Sequence, residues 1–250
     1  MSAPRLALLL WVAVSGAICP LFALEPGAMF GPGVAAYRAG QYETAARLFA
    51  ETARVEPSVG SFLNLGNAEW RRGRAGHAVL AWEQTLWIDP FNKAAKNNLE
   101  LARKAAQLDA PYLAWYEVAS SWLPSHWWAW ITGFSLWAAV GAVLLPGIFR
   151  IRRAAWHQGL SALGLALFLL SLPAHLGVVQ RARLGIVLER DTPLRLTPTR
   201  EAQYTTQLAA GEPVRAKRLR SGFVFVQTRR GQGWVETSAF GAVVPGRVKQ

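Results

Sequence analysis

The stretch GVAAYRAGQYETAARLFAETARVEP (33–57) is echoed thirty-three residues later by GNAEWRRGRAGHAVLAWEQTLWIDP (66–90). Gly33 aligns with Gly66, Gly40 with Gly73, Ala45 with Ala78, Phe49 with Trp82, Thr52 with Thr85 and Pro57 with Pro90. The order has a physical sense. A first glycine lets two antiparallel helices approach, and a second sits in the turn between them. Ala and the aromatic line the inner face of the second helix, and Pro closes it. Each copy therefore predicts a helical hairpin, 30–39 with 43–56 and 60–72 with 76–88. A further helix with one polar face is expected over 92–107. Two repeats bury little surface alone, so this helix is read as the cap of an array spanning 24–110.

Beyond the array, 111–126 is an interfacial aromatic segment carrying Tyr112, Trp115, Tyr116 and Trp122. Rings with one polar edge collect at the membrane–water boundary. Two stretches without Asp, Glu, Lys or Arg follow, 127–149 and 155–179. At about 1.5 Å per residue each can cross a hydrocarbon core of about 30 Å. The Arg-rich link 150–154 is too short for anything but an antiparallel hairpin, so the chain before it and the chain after it share one side of the membrane. At the start, Arg5 followed by the apolar run 6–17 and the small-residue site Leu21-Phe22-Ala23 reads as a signal peptide, 1–23. It directs both flanking parts outward and leaves the link in the cytoplasm, where its arginines fit. Cys19, the sole cysteine, falls within this segment, so the mature chain is expected to carry no thiol.

The tail, 184–246, changes period. Short candidate strands at 185–188, 193–196, 213–220, 223–228 and 230–235 are separated by turn residues, with Ser221-Gly222 as a hairpin turn and 208–213 as a second turn. Of the net charge of +12, this end holds a large share: 181–250 has thirteen basic and five acidic residues, whereas 24–120 has ten of each. Arg215, Lys217, Arg218 and Arg220 form its densest run, either a solvated strand face or a contact for lipid or wall polymer.

The landmarks of the two repeats resemble the tetratricopeptide repeat (TPR). One departure is the residue three after the first glycine, usually large in that family and here Ala36 and Glu69. The tail resembles a bacterial SH3 domain, with Leu194-Arg195 near its start, Leu208, Gly211 and Val214 in the middle and Gly233-Trp234-Val235 near its end. The whole order of signal, short TPR array, two-helix hairpin and SH3-like barrel resembles the BatE-type proteins of the bacterial aerotolerance operon, as does Asn97-Asn98-Leu99-Glu100-Leu101-Ala102 after the second repeat. The expected fold class is thus a multidomain membrane protein: an all-α TPR repeat domain, two transmembrane helices and a small all-β SH3-like barrel. The resemblance implies an interaction scaffold in the bacterial inner membrane, with both domains on the periplasmic side. Its implied partners are membrane proteins bearing von Willebrand A domains. The family register turns Tyr37 and Arg38 of the first repeat, and Asn67, Trp70 and Arg71 of the second, toward a partner-binding groove, with Arg103 and Lys104 extending the row. Packing of Tyr37 or Trp70 against a neighbouring helix is the competing reading. Trp234 is expected in the barrel core.

No constellation for catalysis emerges. His77, His126, His157 and His175 fall in four separate segments without metal-ligand spacing. Gly31-Pro32-Gly33 opens a repeat helix and follows no strand, so it is no dinucleotide loop. A nucleophile elbow, a phosphate loop and paired carboxylates are all missing from the pattern. The chain is read as a non-enzyme with no metal or cofactor and no nucleic-acid partner. Membrane lipid is an expected contact. The alternative function is a wall sensor or tether holding peptidoglycan through the SH3-like domain. The topology is testable with single cysteines at 40, 152 and 230 in a Cys19-free chain. An impermeant thiol reagent should label 40 and 230 in spheroplasts and leave 152 untouched. Labelling at 40 but not at 230 would refute the hairpin.

Overall fold

The computed structural model describes residues 29–150, 152 and 154–245. The expected signal peptide, 1–23, and Cys19 lie outside them. The described chain begins with five helices: α1 (Phe30–Arg38), α2 (Tyr42–Val55), α3 (Val59–Arg71), α4 (Ala75–Ile88) and α5 (Lys93–Ala106). They fall within a residue or two of the spans expected from the repeat. A Cβ built on Gly33 would stand 2.8 Å from Phe49 Cε1, and one on Gly66 would run into the Trp82 indole. Only glycine lets each first helix lie against the aromatic of its second, which is why the two recur together. Gly40 and Gly73 make the turns at φ of 76° and 77°. Ser58 Oγ accepts from Ser61 N to start α3, and Asn92 Oδ1 accepts from Ala95 N to start α5.

A short helix, α6 (Trp115–Ser120), precedes two long ones, α7 (Ser125–Ile148) and α8 (Ala155–Arg181). Both long helices are long and apolar enough to cross a membrane. They form an antiparallel pair whose mutual face is small and polar: Ser135 and Ala139 of α7 meet Gly164 of α8. Thr132 Oγ1 lies 2.8 Å from Ser171 Oγ and 2.6 Å from His175 Nε2. His175 therefore bonds across the pair, the usual work of a polar group between apolar helices. Away from that face the rings and branched chains point outward, Phe134 being 80% exposed and Leu170 73%.

The remainder is one antiparallel sheet of seven strands: β1 (Leu184–Val187), β2 (Thr192–Arg195), β3 (Tyr204–Leu208), β4 (Pro213–Arg220), β5 (Phe223–Thr228), β6 (Gly231–Glu236) and β7 (Phe240–Ala242), in the order β3-β2-β6-β5-β4-β1-β7. Ser221 and Gly222, both at positive φ, close the β4–β5 hairpin as expected. β3 and β7 were not among the expected strands. Val187, Leu194, Leu208, Val214, Val224, Val226, Val235 and Phe240 form the core.

Trp234 is buried at 6% exposure, as expected, on the other side of the sheet from that cluster. It pairs with Phe225 across β5–β6, so alternation puts both rings on the face opposite Val224 and Val235. There it packs on Phe225 at 5.1 Å and lies under the Arg218 guanidinium at 5.4 Å. One expectation changes: the start of the tail is no boundary in packing. Ile186 and Val243 share a core with Ala78, Val79, Trp82, Leu99 and Ala102 of the array. Gly76 lies directly under the Leu188 carbonyl, where no side chain fits. The β unit is thus seated on α4.

A second contact ties the β unit to α6. Glu117, 2% exposed, receives both arms of Arg215: Nη1 donates to Oε1 at 2.6 Å and Nη2 to Oε2 at 2.8 Å. Replacing Arg215 by Gln strands that carboxylate, and should cost about 3–5 kcal/mol. The double variant E117Q/R215Q should recover part of the loss. Thermal unfolding in mild detergent checks this; a double variant no better than R215Q would show that the fork is not what the site needs.

Candidate functional site

The five residues expected to face a partner separate into two kinds. Asn67 and Trp70 are committed to the fold. Asn67 Oδ1 accepts from Trp82 Nε1 at 3.1 Å and from Asn98 Nδ2 at 2.8 Å, so one amide oxygen joins α3, α4 and α5. Trp70 is half-buried and packs at a tilt of 47° against Trp82, with centroids 5.9 Å apart. For these two the structure favours the packing alternative.

Tyr37, Arg38 and Arg71 lie at the ends of α1 and α3. Tyr37 packs edge-on against Tyr42 at 5.3 Å, and Arg71 sets its guanidinium 4.7 Å over the same Tyr42 ring. Tyr42 is thus the bridge between the two repeats, and the motif pointed only to the residues on either side of it. Arg38 and Arg71 are both exposed. Among the described residues neither meets a carboxylate, and Arg47 on α2 is alike. The other arginines of the array are ion-paired: Arg54 with Glu51, Arg72 with Glu69 and Glu43, Arg74 with Glu189, Arg103 with Glu83. Arg103 is thereby taken out of the expected row, and Lys104 is paired with Glu100 at 2.7 Å.

Glu69, the counterpart of Ala36 in the second repeat, is buried beside Arg72 at 3.1 Å and has Arg74 at 4.0 Å. Arg74 also reaches Glu189 of the β unit at 3.4 Å and His77 Nε2 at 2.7 Å. Burial raises the Glu69 carboxyl above its ordinary range, although Arg72 and Arg74 pull the other way. Burial, helped by Arg74, lowers His77. This cluster is the polar part of the seat between array and β unit. It was not legible because Glu189 is 115 residues from Arg74.

The basic run on β4 also divides. Arg215 is consumed by Glu117, and Arg218 lies over Phe225 at 4.8 Å. Lys217 and Arg220 are exposed. Among the described residues no group of three His, Cys, Asp or Glu is placed to hold a metal ion. No protein-family model matches the chain, and no match was found among curated proteins or solved structures.

The raised Glu69 gives a signed pH effect. The fold binds this proton more tightly than the unfolded chain does. Its stabilising contribution is therefore full below the ordinary value of 4.5 and is lost as pH rises through the folded value. Relative to Glu69→Gln, the wild type should gain thermal stability as pH falls from neutral to about 5. A constant difference in melting temperature between the two proteins would refute it.

Proposed function

We propose that this chain is a membrane-anchored protein-interaction scaffold of the bacterial inner membrane, its helical array a TPR-type peptide receptor and its β unit an SH3-like barrel. The observation that carries the proposal is the pair Arg38 and Arg71. They stand one repeat apart, exposed and without a carboxylate, in an array whose buried and half-buried arginines are all ion-paired. Folding does not need them, because an exposed charge contributes little to a helical core. An Arg guanidinium beside a tyrosine pair suits a partner segment with a carboxylate and an apolar side chain. The β unit docks on α4, which keeps α1 and the end of α3 available to such a segment. The scaffold reading agrees with the BatE-type order of parts, and partners of the von Willebrand A-domain membrane type follow from that resemblance. On this reading α7 and α8 cross the bilayer as an antiparallel pair, and the array and the β unit share the periplasmic side.

The test is co-purification of the full-length protein in mild detergent, wild type against R38A/R71A at matched salt. The wild type should bring down membrane proteins in stoichiometric amount. The double variant should keep its melting temperature, apart from a small loss where Arg71 leaves Tyr42. Partner affinity should fall by about 1–3 kcal/mol per lost charge-assisted hydrogen bond. Equal recovery by both proteins would move the binding site away from these arginines. Sedimentation with isolated wall material, without protein partners, would favour the peptidoglycan tether instead.

A further inference from the structure

The apolar part of α8 ends at Val179, and Arg183 follows about 6 Å further along a helical rise of 1.5 Å per residue. At that level the chain turns into the sheet: Ala216 N donates to the Arg183 carbonyl at 2.8 Å, which brings β4 against the end of the membrane helix. The junction leaves a cavity of about 260 Å³ lined by the cations Arg183 and Lys217 and by the apolar Leu184, Val224 and Phe240. No carboxylate lines it. Among the described residues neither cation forms an ion pair, although Arg215, two positions before Lys217, is doubly bonded to Glu117. Arg218, which also borders the cavity, has its guanidinium over the rings of Phe225 and Trp234, at 4.8 and 5.4 Å. Lys217 is the extra residue of a β-bulge between Ala216 and Arg218.

We infer that this cavity binds the phosphate headgroup of an anionic phospholipid from the leaflet in which α8 ends. Position selects the source. Cations within a helical turn of the hydrocarbon edge meet headgroups before any soluble anion, and a lining of cations and apolar side chains suits a headgroup with the start of its acyl chains. Exposed Leu219 beside Lys217 extends the same amphipathic character toward the membrane. The inference rests on the reading of α7 and α8 as a membrane pair, and it is independent of what the array binds.

The test uses the full chain in bilayer discs of phosphatidylcholine with about 30% phosphatidylglycerol, followed by partial delipidation and mass spectrometry of the lipid retained. The wild type should retain phosphatidylglycerol in preference to phosphatidylcholine. R183Q/K217Q should lose that preference by about fivefold for each charge removed. The charge-conserving R183K/K217R should keep it, which separates loss of charge from damage to the fold. Parity between the two lipids in the wild type, or an unchanged preference in R183Q/K217Q, would overturn the inference. So would displacement of the retained lipid by inorganic phosphate or soluble wall polymer at matched phosphate concentration, which would make the cavity a free-anion or polymer site. Insertion into discs of phosphatidylcholine alone tests the membrane reading separately: a protein that inserts yet shows no lipid preference refutes the headgroup site only.

Discussion

A buried carboxylate decides how the pieces of this molecule are held. Glu117 accepts from Ala114 N at 2.7 Å, which starts α6, and from both arms of Arg215, which belongs to β4. The same guanidinium donates to the Tyr112 carbonyl at 2.9 Å and to the Gln180 carbonyl at 3.4 Å. One cation thus gathers the approach to α6, the end of the long apolar helix α8 and the β unit. Every oxygen of the carboxylate is used, so the desolvation of two charges is answered by geometry rather than by water. With that fork in place α6 lies flat on α8, where Gly177 leaves room for the Tyr116 carbonyl.

Given this anchor, the rest of the arrangement follows from apolar burial. The β unit must sit close to the end of α8, because only Ala182 and Arg183 separate α8 from β1. Its flank then meets α4, and Ile186 and Val243 complete a core that the array could not close alone. The array needs such a cover. Two helical hairpins and a capping helix leave the outer side of the last hairpin apolar, and α4 reads as such: Val79, Ala81 and Trp82 are all buried. The expected cap, α5, covers one side of that helix and the β unit covers another.

The sequence disclosed what repeats or runs locally. Gly33 with Phe49 and Gly66 with Trp82 could be read as helix pairs because the contact partners lie sixteen residues apart at a fixed offset. The pair of long apolar helices was legible from length and apolarity, and the Ser221-Gly222 hairpin from its turn chemistry. What could not be read were contacts between segments far apart in the chain. Glu117 is one acidic residue among aromatics, with nothing nearby to name Arg215 as its partner ninety-eight residues on. β3 and β7 escaped because they are short, and β3 is largely exposed. Trp234 could be read as buried from its type, but not which face of the sheet it covers, because composition does not carry the strand register. At the candidate site the aromatic–arginine pairs were visible, but the sequence could not say that Asn67 is spent on Trp82 and Asn98 while Arg38 meets no carboxylate among the described residues.

The connection from α5 to α6 shows what the β unit contributes to the whole. This stretch, 107–114, has no helix or strand, and Gln107 leaves α5 in the left-handed region at φ of 50°. Left free, such a link would let the array swing relative to α7 and α8. It is tied to the β unit instead. Leu108 packs on Gly211, Asp109 pairs with Arg229 at 2.7 Å, and Arg229 also donates to the Ala110 carbonyl at 3.4 Å. Asp109 and Arg229 are both largely exposed, so that ion pair is weak by itself. Its effect comes from being one of several restraints on the same few residues, with Arg215 on Tyr112 the strongest. The array is therefore held at both ends of α5, by the shared core before it and by the pinned link after it. A segment bound on α1 and α3 would thus meet a surface with fixed orientation to the two long apolar helices, set by a β unit that follows it in the chain by about a hundred residues.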